Sequence, residues 1–374
     1  MKSKTMKAIE HDSYLSFVRF CLDDKAPVPP ATDTIVWRDL LDWAKKQTIV
    51  GTCWRGMQRL GDIGRNKPTD DDVLEWMAVC TRIEKKSRKA NERALWVYRT
   101  FLGEGFRSCL LKGQGNAYRY PEPLLRQSGD IDIYVEGGDD KVISYVRTIR
   151  PKARAVYHHI DFVKTEGIPV EVHYRPSWMS CPWYNSRLQR FFEEEGRRSL
   201  DNLVTLPGTD GEIAVPTWRL NVVFEMTHIA HHVLREGIGL RQIIDYYYLL
   251  SSHGTPTPDE RRQAESDLRR MGLRKMGGAV MWVLTEVLGM PREWCVIQPH
   301  RRCGRLLLRE MMAGGNFGKY DDRMLSGETR SQTKRNVQTL WRDLRMVFYF
   351  PAECLWEPYF RWYHYFWRKK HNKR

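Results

Sequence analysis

Ser128-Gly129-Asp130-Ile131-Asp132-Ile133-Tyr134-Val135 is the stretch on which the fold turns. Its apolar alternation reads as a buried strand. Successive strand side chains point to opposite faces, so Asp130 and Asp132 share one face and Ile131 and Ile133 the other. Two carboxylates held that close repel unless a cation stands between them. A hard divalent ion such as Mg2+ prefers carboxylate oxygens and often brings phosphates with it, so the pair predicts a metal site for phosphate chemistry. A third acid follows in Pro169-Val170-Glu171-Val172-His173, where Glu171 again alternates with apolar residues as on a second strand. Asp130, Asp132 and Glu171 are the candidate metal ligands and catalytic groups. Glu171 also suits a base for an attacking hydroxyl. His173 shares its strand face and either orients it, contacts substrate or packs.

The flanking residues extend the pattern. In Leu110-Leu111-Lys112-Gly113-Gln114-Gly115 an apolar strand end gives way to a Lys-Gly turn. Lys112 supplies a point charge for phosphate, Gly113 permits close backbone approach, and a following helix N-terminus holds anions. Arg126 and Ser128, just before the acids, are placed to contact phosphate or to brace Asp132. Downstream, Arg241 and Asp245 are spaced i, i+4, which predicts an ion pair on one helix. His228, His231 and His232 also fall on one helix. Because no Glu follows His228, the zinc-binding His-Glu-x-x-His pattern is missing, and the spacing predicts histidines facing a cleft.

The ordered set of Lys112-Gly113, Asp130-Ile131-Asp132 and Glu171-Val172-His173 resembles the DNA polymerase beta superfamily of nucleotidyltransferases. More narrowly, the chain resembles a group of bacterial nucleotidyltransferase-like proteins of poorly defined substrate. The resemblance covers roughly residues 90–250 and the helical flanks loosely. It implies Mg2+-dependent transfer of a nucleoside monophosphate from a nucleoside triphosphate to a hydroxyl, with release of pyrophosphate. Two ions are then expected at Asp130, Asp132 and Glu171, with phosphate handled by Lys112, Gly113, Arg126 and Ser128. The helix carrying Gly239-Leu240-Arg241-Gln242 is expected beside the active site, where Arg241 reaches a phosphate. The acceptor stays open among a small molecule, a glycan or lipid intermediate, a protein and RNA. The chain departs from the family pattern at Lys112-Gly113-Gln114, where members with established chemistry carry Gly-Gly or Gly-Ser. This altered loop keeps a second reading open, a catalytically inactive nucleotidyltransferase fold that binds nucleic acid.

Length and composition bound the rest. A chain of 374 residues with 42% hydrophobic content suits two domains with a packed core. No run of about 18 apolar residues occurs, so no spanning helix is expected. The basic start lacks the apolar core of a signal peptide, and a cytoplasmic protein is expected. Eight scattered cysteines form no Cys-x-x-Cys pair and read as reduced and buried. A formal charge of +15 points to an anionic partner, whether nucleotide, anionic polymer or membrane surface.

The expected fold is α+β, a minimal nucleotidyltransferase core with a small mixed sheet between helical regions. Residues 1–105 are expected to be an N-terminal helical region, 106–212 the core, and 213–374 a C-terminal helical region with a basic aromatic tail. Strands are expected at 108–111, 130–135, 155–159, 160–163 and 170–173, and helices near 137–149, 220–234 and 240–250. Residues 318–336 read as an exposed loop or weak helix. The tail, from Leu344 to Arg368, interleaves aromatics with arginine. Burial against the protein is the favoured reading there. Base stacking or an interfacial role as a peripheral membrane or assembly factor is the alternative.

Overall fold

Helix α4, Asp70–Gly103, is the spine of the protein. Thr69 and Asp72 form a reciprocal capping box, and Asp70, Asp71 and Asp72 place negative charge at the positive end of the helix dipole. Its 34 residues span about 50 Å. Trp76, Cys80, Ser87, Ala90, Ala94, Val97 and Phe101, spaced by three, four or seven residues, define its buried face. The N-terminal part of that face joins one hydrophobic core and the C-terminal part joins another. The segments 73–88 and 91–102, whose helical patterns read as one helix or its continuation, form one continuous helix that ends at Gly103. A computed structural model describes residues 2–60, 66–163, 167–315 and 344–372. The loop expected at 318–336 lies outside them.

The larger core unites the two ends of the chain. Helices α1 (Lys2–Leu22), α2 (Trp37–Gln47) and α3 (Val50–Leu60) pack with α8 (Trp218–His231), α9 (Leu240–His253), α10 (Pro258–Arg270), α11 (Arg274–Trp282) and α12 (Arg301–Gly314). The helical regions flanking the sheet therefore share one interior. All eight cysteines are buried, and none forms a disulfide.

The second core lies under a four-stranded sheet ordered β1-β2-β4-β3. Its strands are β1 (Ser108–Leu110), β2 (Ile131–Val135), β3 (His159–Asp161) and β4 (Val170–His173). β2 and β4 run parallel and the two outer pairings are antiparallel, so the sheet is mixed. Ile131, Ile133, Val135, Val170 and Val172 face α4 and α6 (Gly138–Ile149). Strand alternation turns Asp132, Glu171 and His173 to the other face.

Some elements differ from expectation. The segment 155–163 forms one short strand, with a single bridge between Ala155 and Ile160, in place of two strands. The backbone of 155–157 is occupied elsewhere: Asn372 both donates to and accepts from Ala155, and the Tyr157 N–H donates to His364 Nε2. Both partners belong to the last helix, α13 (Pro351–Asn372). Helix α7 (Pro182–Ser199) and the hairpin β5 (Leu203–Thr205) and β6 (Glu212–Ala214) add to the sequence reading. The aromatic tail is buried along one face and exposed along the other. Phe360 stacks on Trp178 with centroids 4.2 Å apart, Trp367 is buried, and Glu353 accepts the backbone N–H groups of Ser180 and Cys181. Leu355, Tyr359, Trp362, Tyr365 and Phe366 remain exposed. Among the described residues no helix is long and apolar enough to cross a membrane.

Candidate active site

The polar face of the sheet is set by register. Parallel pairing puts Asp132 opposite Glu171 and Tyr134 opposite His173, while antiparallel pairing puts His159 opposite His173 and Asp161 opposite Glu171. Asp132 sits on the central strand β2, next to the turn that follows β1, where the Leu111 N–H donates to the Asp132 carbonyl at 2.8 Å. Lys112 follows directly, and its Nζ lies 3.1 Å from Asp132 Oδ1. His173 Nε2 lies 2.9 Å from the same oxygen and 3.5 Å from Glu171 Oε2. His159 Nδ1 is 3.3 Å from that Glu171 oxygen.

The turn that delivers Lys112 depends on two glycines. Gly113 has φ 50° and ψ −114°, outside the comfortable range of a side-chain-bearing residue. A Cβ on Gly115 would sit 2.4 Å from the Leu110 carbonyl oxygen, so only glycine lets the short helix α5 (Gln114–Ala117) lie this close to β1. Beyond the turn, Asn116 donates to Glu225 Oε1 at 2.7 Å and accepts from Asn221 at 2.8 Å, tying α5 to α8.

Electrostatics at the acids follow from this crowding. Burial would lower the His173 pKa, but the Asp132 hydrogen bond and the Glu171 charge outweigh it and push the imidazole up to about 9. Burial also opposes the Lys112 charge, and Asp132, Asp130 and Glu171 together raise it above the usual lysine range. Glu171 moves down: burial works against ionisation, and His173, His159 and Lys112 overcome it. Burial and neighbouring imidazoles hold His158 well below its ordinary value. Lys112 and Glu171 are thus charged at neutral pH, in a pocket that accepts both signs.

The expected residues do not all meet. Asp132 and Glu171 converge with His173, one ligand atom of each lying within 4.8 Å of the others. Asp130 stands one residue before β2, half-buried and outside that group, although its charge still reaches Lys112 and Arg241. The two carboxylates suit a hard divalent cation such as Mg2+, whereas the imidazole beside them favours Mn2+ or Zn2+. Ser128 Oγ is buried without a hydrogen-bond partner. Arg126 is engaged away from the acids: its Nε and Nη2 donate to the two oxygens of Asp245, each at 2.7 Å, and the Tyr120 hydroxyl donates to Oδ1 at 2.6 Å. Asp245, expected to pair with Arg241 on its own helix, is therefore held by a residue 119 positions away. Arg241 donates to the Gln127 carbonyl at 3.1 Å, fixing the segment just before the acids.

The histidines of α8 do approach this face. His231 stacks on Trp178 with centroids 4.3 Å apart, and Trp178 tilts against His158 at 6.1 Å. Burial and the Lys112 charge both depress His228. His228 and His232 pair with each other through their Nε2 atoms at 3.0 Å, and no third ligand converges on them among the described residues. Sequence reasoning passed over His158 and His159. A His-His pair directly before an Ile-Asp strand is a signal that could have marked them. A cavity of about 660 Å³ is lined by Tyr134, Tyr157, Tyr174, Arg175, Tyr359 and Tyr363 and by none of Asp130, Asp132 and Glu171.

A family model described as an uncharacterised nucleotidyltransferase matches residues 33–289. No curated protein matches the chain. A solved structure of an antigenic nucleotidyltransferase-like protein from Paracoccidioides brasiliensis is similar at 9% identity with a TM-score of 0.31. That similarity covers 58% of this chain and 96% of the other.

Proposed function

The chain belongs to the family of uncharacterised nucleotidyltransferases, and on that premise we propose that it transfers a nucleoside monophosphate from a nucleoside triphosphate to a hydroxyl acceptor with the help of divalent cations. The observation that carries this reading is the convergence of Asp132 and Glu171 beside Lys112, on a glycine turn at a strand end. The acceptor oxygen attacks the α-phosphorus, the bond from that phosphorus to the bridging oxygen breaks, and pyrophosphate leaves. Glu171, ionised and partly open to solvent, takes the acceptor proton. Lys112 neutralises phosphate charge, and Gly113 lets the backbone approach the same anion. Asp132 and Glu171, with Asp130 at the rim, would hold Mg2+, which when bound neutralises the triphosphate and acidifies the attacking hydroxyl. Arg126 and Arg241 act by bracing the segment that presents the acids.

Calorimetric titration with the four nucleoside triphosphates, with and without Mg2+, tests the reading. Wild-type protein should bind one of them in a metal-dependent way, and the Asp130→Ala/Asp132→Ala variant should not. Folded wild-type protein that binds none of them, or a variant that behaves as wild type, would overturn it in favour of a binding scaffold without catalysis.

We also propose that the outer face of α13 docks on an anionic bilayer surface. Trp362 and Leu355 are 61% and 68% exposed, Trp362 packs on Phe366 with centroids 4.7 Å apart, and Lys369 lies over the Tyr365 ring at 4.9 Å. Aromatics flanked by Arg361, Arg368, Lys369 and Lys370 complement a negative interface. Flotation with phosphatidylserine vesicles should succeed and should fail on Trp362→Ala/Phe366→Ala, with little binding to neutral vesicles. Equal flotation of the variant, or competition by RNA for the same residues, would sink this assignment.

A further inference from the structure

Beside the acids, three imidazoles form a group of their own. One ring nitrogen from each of His158, His159 and His173 lies within 4.8 Å of one from each of the others. Ring centroids are 4.5 Å apart for His158 and His159, 5.5 Å for His158 and His173, and 5.3 Å for His159 and His173. Nδ1 of His158 and of His173 is buried without a hydrogen-bond partner, and Nδ1 of His159 has only a 3.3 Å contact with Glu171 Oε2. A folded protein seldom leaves one such nitrogen orphaned, and here two rings of one cluster each carry one.

We propose that His158, His159 and His173 bind a borderline transition-metal cation of the Zn2+ class, at a position separate from the cation held by the acids. Imidazole nitrogens suit Zn2+ and its neighbours and are poor ligands for Mg2+. His173 already has the support of a metal ligand. Its Nε2–H donates to Asp132 Oδ1 at 2.9 Å, and a metal-bound histidine ordinarily gives its second ring N–H to a carboxylate. With Nε2 engaged by Asp132, Nδ1 is the ring atom left for a metal, which binds by displacing the proton that the raised pKa keeps on the imidazole. Asp132 is therefore a positioning residue for this site. Glu171, 3.3 Å from His159 Nδ1, stands next to it as an oxygen donor. Trp178 covers the group on the α8 side, where it packs between His158 and His231.

The experiment uses the full chain without a polyhistidine tag, stripped by chelator and titrated with Co2+ under excess Mg2+. One equivalent of Co2+ should give the visible absorption of a nitrogen-ligated ion of low coordination number, and Zn2+ should bleach it. His158→Gln and His159→Gln should each abolish the absorption, with circular dichroism and melting temperature checked against wild type. Asp132→Asn should weaken Co2+ binding roughly 10- to 100-fold and keep the stoichiometry. A wild-type protein with no absorption overturns the proposal without reference to any variant. So does an absorption that survives in folded His158→Gln/His159→Gln protein. The outcome separates from the transferase reading: Mg2+-dependent triphosphate binding without a Co2+ site defeats only the histidine proposal, and the converse result defeats only the transferase.

Discussion

Asp132 and Asp245 are both almost fully buried carboxylates facing cations, yet their surroundings differ in kind. Asp245 accepts two parallel bonds from Arg126 and a third from Tyr120, and its neighbour Glu225 is capped by Asn116. Asp132 shares a single oxygen between Lys112 and His173, beside a partly exposed Glu171 and the orphaned Nδ1 atoms of His158 and His173. A structural polar cluster satisfies its members internally. A site that must bind something keeps donors and acceptors unsatisfied until the ligand arrives. The Asp245 cluster ties β2's leading segment to α9, and through it the position of the acids.

The contrast can be broken most forcefully at Arg126. Arg126→Ala leaves Asp245 buried without its counter-charge and should cost about 3–5 kcal/mol of stability, read from the urea midpoint. A loss under about 1 kcal/mol would mean that the pair is dispensable and the division into two kinds of cluster is false.

Glu225 should report next, through pH. Burial first, and then Asp245, push its pKa up to about 7, against an ordinary 4.5. The folded protein therefore binds the extra proton between those values. Stability from this group is complete below about pH 4.5 and is lost as pH rises through about 7, by at most about 3 kcal/mol. Glu225→Gln should remove that slope from a plot of unfolding free energy against pH, and an unchanged slope would assign the titration elsewhere.

At Gly115 the effect should be smaller. Gly115→Ala puts a methyl group against the Leu110 carbonyl and should cost about 1–3 kcal/mol. It should also weaken triphosphate binding, because α5 and the Lys112 turn move together. Unaltered stability and binding would show that the turn accommodates the methyl group.

The smallest stability change belongs to the open cluster. Glu171→Gln should shift stability by less than about 1 kcal/mol, because Glu171 is partly solvated and its contacts lie at 3.3 and 3.5 Å. It should nevertheless remove metal-dependent triphosphate binding in calorimetry. Strong destabilisation with intact binding would reverse the assignment of the two clusters.

Legibility follows the range of the interaction. Asp-Ile-Asp-Ile-Tyr-Val and Val-Glu-Val-His announce their strands through two-residue alternation. Asp132 and Glu171 were readable because strand periodicity alone assigns each a face. The β5–β6 hairpin carried a local signal in Pro207-Gly208-Thr209-Asp210-Gly211 that went unread. The engagement of Arg126 with Asp245 carried none, because i, i+4 spacing offered Arg241 as the nearer partner.

From the sequence alone came an α+β architecture, an acidic strand pair behind a Lys-Gly turn, and a basic aromatic end. All three rest on contacts between residues close in the chain, where backbone geometry links spacing to direction. Only the tertiary structure decided that Asp132 meets Glu171 and His173 while Asp130 stands apart, that Arg126 braces instead of facing the acids, and that one side of α13 stays exposed. Those outcomes depend on strand order, on register and on which distant element reaches a buried charge first. One residue of register turns a side chain to the opposite face, and no local pattern encodes the partner waiting there.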